Sequence, residues 1–105
     1  MYNIIQFELL INYNILVIFD NGEVKKFDLN PLFKYKTWMK IKDVYEQAYI
    51  EDEGMRLCWP NPSYTPDNKQ CPDIDIFAED IYEEGIDYFK VINIKKNNNN
   101  VKTQE

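Results

Sequence analysis

The feature that most constrains the fold is an Asn-Gly pair that joins two strand-like segments. Residues 15–19 (ILVIF) form a continuous apolar run of strand length, rich in β-branched side chains. Asn21 and Gly22 follow this run, and a second strand-like segment, EVKKFDL, comes directly after them. Both residues tolerate positive φ, as a type I′ turn requires. The sequence therefore predicts a β-hairpin.

A two-residue turn also sets the register of this hairpin. It places Phe19 opposite Val24 and Leu16 opposite Phe27. The two pairs lie on opposite faces of the ribbon, because side chains alternate along a strand. We therefore expect both faces of the strand at 15–19 to be at least partly covered, in keeping with its unbroken apolar run.

A helical pattern follows the hairpin. Asn30-Pro31 ends the second strand, and Thr37 is a suitable helix cap. Apolar residues then recur at spacings of three and four, which predicts a helix that buries one stripe and that could be split near residues 42–43. The residues of this stripe are Trp38, Ile41, Tyr45 and Ala48.

The rest of the chain predicts further short elements and no internal repeat. A strand at 4–11 precedes the first hairpin, and Gly54 separates the two strands of a second hairpin at 49–60. DIDIF alternates cleanly as a strand at 73–77, and AEDIYEE forms a helix at 78–84 that stops at Gly85. Residues 86–94 are a last strand or an extended segment. Since hairpins dominate, the predicted class is α+β: a small, mostly antiparallel sheet with two short helices.

Length and composition indicate one domain. A chain of 105 residues buries a modest core without help from a metal or a disulfide. We expect this domain to span residues 1–94, with an irregular loop at about 61–72. The polar, low-complexity run KKNNNNVKTQE at 95–105 predicts a disordered tail.

The charge balance and the missing histidine exclude several functions. The chain carries 12 basic and 18 acidic residues, a formal net charge of −6, which disfavours direct binding to a phosphate backbone. It contains no histidine, so Ser-His-Asp and Cys-His catalysis are excluded. The start has no basic region typical of a signal peptide, and no apolar run is long enough to span a bilayer. We therefore expect a cytoplasmic protein.

The two cysteines leave three alternatives. Cys58 and Cys71 flank the irregular loop, and a zinc site would need four ligands in close pairs, which this sequence does not offer. A disulfide between them would close a loop of useful length, although a cytoplasmic location favours free thiols. The favoured interpretation is a small apolar residue at Cys58 and an incidental one at Cys71. No metal and no cofactor are predicted, and whether the two thiols ever pair is left open.

Acidic residues supply the candidate contact surface. Residues 73–87 hold seven carboxylates and no Lys or Arg. A calcium loop fails, because the segment that begins at Asp73 lacks ligands at its later positions. Paired carboxylates also serve in glycoside hydrolysis, but no further signature of such an enzyme is present. The candidate partner-binding residues are Tyr64 in the loop and six acids: Asp73, Asp75, Glu79, Asp80, Glu83 and Glu84.

Several of these segments together resemble a known family. They are ILVIFDNGEVKKFDLNPLF, a helix with a Lys-Asp step, MRLCWPN and DIDIFAEDIYEEG. In this order they are similar to small bacterial proteins catalogued as domain of unknown function twenty-four forty-two. The matching positions are Phe19, Asp20, Gly22, Phe27, Asp28, Leu29, Pro31, Leu32, Trp59, Pro60, Asn61, Asp75, Ile76, Ile81, Tyr82 and Glu83.

The resemblance implies a small α+β domain that binds another protein. Many members look like the smaller partner of a toxin–antitoxin pair. This chain departs from the family pattern between Trp-Pro-Asn and the Ile-Asp-Ile strand, where roughly ten extra residues form an inserted loop. Such a loop is either a new partner surface or tolerated filler.

These observations favour a non-enzymatic, antitoxin-like interaction module that neutralises a protein partner through an acidic surface. One alternative is an inhibitor of a host defence nuclease encoded by a phage or mobile element, of the anti-CRISPR type. A small enzyme that uses acidic residues is a second alternative. The partner is expected to be a toxin-like protein or a nuclease, with no direct contact to nucleic acid or membrane. The oligomeric state is left open.

Overall fold

The computed structural model describes residues 2–88 and confirms the α+β class. Within this range, seven strands form two antiparallel sheets, accompanied by two short α-helices and several 3₁₀ turns. The predictions for residues 89–94 and for the tail at 95–105 lie outside the described residues.

The strands form one sheet of four and one sheet of three. The first has the order β1-β2-β3-β7 and the second has the order β4-β5-β6. The helix α1 lies in the connection between the sheets, and α2 follows the last strand of the second sheet. The bounds are β1 Ile4–Leu9, β2 Asn14–Phe19, β3 Val24–Asp28, α1 Lys36–Met39, β4 Tyr49–Glu51, β5 Arg56–Trp59, β6 Ile74–Phe77, α2 Ala78–Glu84 and β7 Ile86–Asp87.

Both sheets and α2 contribute to one hydrophobic core. Alternate residues of β2 point inward and are fully buried, as are apolar residues of β5 and α2. The indole of Trp59 is completely buried and donates its N–H to the carbonyl of Tyr45 at 3.0 Å, so its polar atom is satisfied. The largest fully buried side chains are Trp59, Phe19, Ile15, Leu29, Ile41, Leu57, Ile81, Val17 and Cys58.

The first hairpin forms, but its predicted register is wrong by one residue. Ile18, rather than Phe19, lies opposite Val24. The loop has three residues, because the N–H of Gly22 bonds to the carbonyl of Phe19 and the N–H of Phe19 bonds to the carbonyl of Glu23, both at 2.9 Å. Gly22 adopts φ +87°, whereas Asn21 does not have positive φ. This is a type I turn followed by a left-handed residue, not a type I′ turn.

The shift decides which face of β2 is buried. Ile15 lies opposite Phe27, and both belong to the core. Val17 and Phe19 share this face with Ile15 and are fully buried, whereas Leu16 and Ile18 on the other face are half-buried. A change of one residue in register exchanges the two faces of a strand, so Phe27 lies opposite Ile15 in the core rather than opposite Leu16.

The predicted helix over 37–48 is broken into three pieces. The α-helix ends at Met39, and 3₁₀ turns at Lys40–Asp43 and Tyr45–Gln47 follow, separated by Val44 at φ −128°. Residues three apart align in 3₁₀ geometry, so Ile41 and Val44 both face the core. The buried residues of this segment are therefore Ile41 and Val44, not the predicted stripe. Trp38 is only partly buried against the core.

The first strand ends two residues earlier than predicted. A 3₁₀ turn at Ile11–Tyr13 follows β1, and both Asn12 and Tyr13 have positive φ, at 60° and 59°. Positive φ is strained for a tyrosine. The hydroxyl of Tyr45 holds this turn, since its single proton is shared between the carbonyls of Leu10 at 2.7 Å and Asn14 at 2.9 Å.

Candidate functional site

The helix α2 presents four carboxylates on one side and core residues on the other. Ala78 and Ile81 are buried, and Tyr82 packs edge-to-face on Phe19 with ring centroids 5.1 Å apart. Helical periodicity places the acids on the opposite side, where all four are exposed. We call this surface the acidic face of α2; its residues are Glu79, Asp80, Glu83 and Glu84.

No ion pair among residues 2–88 involves the acidic face of α2. The ion pairs in this range join Arg56 to Asp52 and Asp75, and Lys69 to Asp67. Glu83 and Glu84 also occupy the last turn of the helix, where the macrodipole disfavours negative charge. Like charges four residues apart add repulsion. The arrangement therefore lowers the stability of α2 and leaves its carboxylates available to a cation.

Two of the predicted acids have partners within the second sheet. Asp75 accepts a hydrogen bond from the guanidinium of Arg56 at 2.6 Å, and Asp52 binds the same guanidinium at 2.7 Å. These two bonds raise the pKa of Arg56. Asp73 accepts a hydrogen bond from the hydroxyl of Tyr49. The structure thus separates Asp73 and Asp75, which brace strands, from the four acids of α2.

Tyr64 lies on a hairpin within the inserted loop. Its side chain is 62% exposed, as predicted for this aromatic residue. Tyr64 forms an isolated antiparallel bridge with Gln70, and the N–H of Cys71 bonds to the carbonyl of Ser63 at 3.0 Å. We call residues 61–72 the inserted hairpin, because the sequence predicts an insertion here and the loop folds back on itself.

A buried asparagine that sequence reasoning missed closes the base of the inserted hairpin. Asn61 is only 6% exposed. Its amide donates to the carbonyl of Pro72 at 3.1 Å and accepts from the N–H of Ser63 at 3.0 Å. Its own carbonyl accepts from the side chain of Gln70 at 3.3 Å. The available signal was its place directly after Trp-Pro at the start of the insertion.

The two cysteines are free in the structure. Cys58 is buried in β5, and burial raises the pKa of its thiol. Cys71 is half-exposed at the end of the inserted hairpin. The favoured prediction for Cys58, a small apolar residue, agrees with its buried position.

Two further features concern the described residues alone. Residues 2–88 contain no group of three or more His, Cys, Asp or Glu side chains placed to hold a metal ion. Their helices are also too short and too polar to cross a bilayer.

An aromatic corner next to the end of β1 is a second feature that sequence reasoning missed. The ring of Tyr13 packs edge-on against Phe33 at 5.1 Å and against Tyr45 at 5.0 Å. The ammonium of Lys42 lies over the rings of Phe33, at 4.8 Å, and Tyr13, at 5.5 Å. Burial raises the pKa of the Tyr45 hydroxyl. The corner borders a cavity of 480 Å³ that also reaches Leu9 and Ile11.

Comparison with known proteins yields one match. A family model described as Protein of unknown function (DUF2442) matches residues 4–87, which include the inserted hairpin. No curated protein and no solved structure is detectably similar to the chain.

Proposed function

The chain belongs to the family described as Protein of unknown function (DUF2442), and on that basis we propose that it is a non-enzymatic, antitoxin-like interaction module. In this proposal it binds and neutralises a protein partner in the cytoplasm through an acidic surface. The similarity of many family members to the smaller partner of a toxin–antitoxin pair supports the proposal.

The observation that carries the proposal is the acidic face of α2. Its four carboxylates are exposed and have no ion-pair partner among residues 2–88. Charge repulsion and the helix dipole both act against the two acids of the last turn. A basic partner surface would relieve this repulsion, and charge complementarity would speed its association.

A second candidate uses the same surface against a different partner. A chain with a formal net charge of −6 and a rigidly backed acidic helix could occupy the nucleic-acid channel of a nuclease. This is the phage- or mobile-element inhibitor of the anti-CRISPR type. The two candidates share the surface and differ in the identity of the protein that it binds.

The experiment captures the tagged chain and its variants from the native host in parallel. The double variant Glu83→Lys with Glu84→Lys reverses two charges in the last turn of α2. Because the helix dipole favours cations there, α2 should be at least as stable as in the wild type. We expect this variant to lose the co-purified partner, and the loss to be larger at low salt. A toxin-like protein encoded nearby supports the first candidate, and a defence nuclease supports the second.

The matched control changes net charge equally at other exposed positions. Asp43→Lys with Glu51→Lys lies outside α2 and should retain the partner. Retention of the partner by both variants would remove the acidic face from the proposal. Equal loss with both would indicate attraction to overall charge rather than to this helix.

A further inference from the structure

The outer edge of β1 is unpaired over most of its length. Within residues 2–88, β1 ends the first sheet and pairs only with β2. The N–H of Leu10 bonds to the carbonyl of Asn14, so hydrogen-bonded positions alternate from there back along β1. Glu8 and Gln6 therefore bond to β2, and the backbone groups of Phe7 and Leu9 point away from the sheet.

A neighbouring turn covers only the start of this edge. Gly54, at φ +97°, packs so closely on Ile4 that a Cβ would collide with its carbonyl oxygen. Beyond Ile4 no strand among residues 2–88 pairs with this edge, and the bulged residue Ile5 is 61% exposed. Edge strands are commonly protected by bulges, charges or proline; β1 has one bulge at Ile5 and one charge at Glu8, and contains no lysine or proline. We call residues 5–9 the open edge of β1.

The far end of the open edge adjoins a cavity whose lining is mostly apolar. The cavity of 480 Å³ begins at Leu9, the last residue of β1, and is bounded by Ile11, Tyr13 and Tyr45. Ile11 is 85% exposed at its rim. A strand added to β1 would therefore have space for an apolar side chain at this end.

The charges beside the open edge are negative. Glu8 lies within β1, Glu46 lines the cavity, and Asp52 belongs to the turn that covers Ile4. Arg56 offsets Asp52 and Asp75, so among residues 2–88 the negative charges here without an ion pair are those of Glu8 and Glu46. Lys42 lies over aromatic rings. Pairing with a second copy would bring together two chains of net charge −6, so charge complementarity favours a basic segment.

We propose that the open edge of β1 accepts an extended segment of the partner protein as an additional strand, in which basic and apolar residues alternate. Basic residues lie beside Glu8 on the outer face of the sheet. Apolar residues lie beside Phe7 and Leu9 on the inner face, and the last of them enters the cavity. This inference rests on the proposed binding function but not on the acidic face of α2.

The test measures amide hydrogen exchange of the full chain with a synthetic peptide. The probe alternates lysine and valine and is roughly nine residues long, slightly longer than β1. On binding, exchange of the Phe7 and Leu9 amides should slow by about tenfold or more, because these donors gain carbonyl partners. The amides of Gln6 and Glu8 already bond to β2 and should change little. A peptide methylated on its backbone nitrogens should give no such protection.

Two single variants separate strand addition from general charge attraction. Glu8→Lys places like charges side by side across the new pair and should weaken peptide binding roughly threefold to tenfold. Glu51→Lys makes the same charge change at an exposed position of β4, outside both proposed surfaces, and should leave peptide binding nearly unaltered. Equal weakening in both variants, or no protection at Phe7 and Leu9, would overturn strand addition.

Self-association would also overturn the proposal. Protection of Phe7 and Leu9 without peptide, together with a dimer in sedimentation, would make a second copy the occupant of the edge. Failure of the strand proposal leaves the capture experiment on α2 intact, since the two use different surfaces and different variants.

Discussion

Two hairpin turns in this protein have the same backbone geometry but different surroundings. In the first turn, residues 19–23, the N–H of Gly22 donates to the carbonyl of Phe19, and the N–H of Phe19 donates to the carbonyl of Glu23, both at 2.9 Å. The second turn, residues 65–69, has the same two bonds: the N–H of Asn68 donates to the carbonyl of Thr65 at 2.8 Å, and the N–H of Thr65 donates to the carbonyl of Lys69 at 2.7 Å. The fourth residue has positive φ in each turn: Gly22 at 87° and Asn68 at 66°.

The two turns differ in the burial of the segments that they join. The first turn joins β2 and β3, whose inward residues belong to the hydrophobic core. The second turn joins exposed and half-exposed residues that share one bridge, between Tyr64 and Gln70. Turn chemistry therefore folds both ribbons locally, but only burial couples a ribbon to the stability of the whole domain. The inserted hairpin depends on Asn61 for its attachment.

The largest expected contrast compares a core residue with the whole exposed hairpin. Phe19→Ala should lower the free energy of unfolding by about 3–5 kcal/mol, since it empties a fully buried site. Deletion of residues 63–70 should lower it by only about 1 kcal/mol: shortening a surface connection has little entropic effect, but Asn61 loses its bonds to Ser63 and Gln70. Denaturant unfolding of both variants measures the contrast.

The same deletion tests whether the inserted hairpin binds the partner. If Tyr64 contributes to the partner surface, the deletion variant should unfold at a midpoint only slightly below that of the wild type and lose affinity for the captured partner. Unaltered binding would make the hairpin filler. A large loss of stability would instead contradict its separation from the core.

The next effect concerns Asn61, which attaches the inserted hairpin to the rest of the domain. Asn61→Ala should lower the free energy of unfolding by about 1–2 kcal/mol, because the part-buried N–H of Ser63 loses its acceptor and the carbonyl of Pro72 loses its donor. Asn61→Asp keeps this acceptor but sets a buried carboxylate oxygen against the carbonyl of Pro72, so its loss at neutral pH should be at least as large. Denaturant unfolding gives the energies, and exchange of the Ser63 amide reports the local opening. An unchanged midpoint in the alanine variant would show that the inserted hairpin needs no clamp.

A matched pair of turn substitutions gives a smaller contrast. Gly22→Ala should lower global stability by about 1–2 kcal/mol, since a Cβ would meet no atom within 4 Å and only the left-handed backbone opposes it. Asn68→Ala imposes a similar local strain but should leave the unfolding midpoint unchanged. It should instead speed exchange of the Thr65 amide, because the exposed hairpin opens by itself. A shared fall in midpoint would show that the two ribbons unfold together.

The smallest effect depends on pH and involves the first turn. Glu23 accepts hydrogen bonds from Tyr82 and from Asn21, and these bonds lower the pKa of its carboxyl. A carboxyl whose pKa is lower in the folded state stabilises the fold above its unfolded pKa of about 4.3. That contribution is lost as pH falls through the folded pKa. Unfolding of the wild type and of Glu23→Gln should therefore converge in stability toward low pH. A constant difference across pH would contradict this linkage.

Much of the fold could be predicted from local patterns. The helix α2 has the bounds predicted for it, because acids begin it, apolar residues recur at helical spacing and Gly85 ends it. The register of the first hairpin could not be predicted, since Asn-Gly suits either turn type and burial selects between them. The predicted helix at 37–48 failed because Ile41 and Val44 gain more from 3₁₀ geometry and burial than from a continuous helix.

The candidate sites were predicted only in part. The acids of α2 and the exposure of Tyr64 could be read from spacing and from the irregular loop around Tyr64. The partners of Asp73 and Asp75 could not, because Tyr49 and Arg56 lie on other strands. The open edge of β1 had no local signal of its own, and the clamp by Asn61 was indicated only by its place directly after Trp-Pro.

The sequence alone determined the α+β class, the first hairpin, the bounds of α2 and the acidic character of its surface. These properties depend on residues within a few positions of one another: turn residues, apolar periodicity and the charges of a single helix. The tertiary structure decided which face of β2 enters the core, which acids find partners, and which edge of the sheet stays unpaired. Those outcomes depend on contacts between strands that are far apart in the chain, and such contacts arise only when the two sheets and α2 pack around a common core.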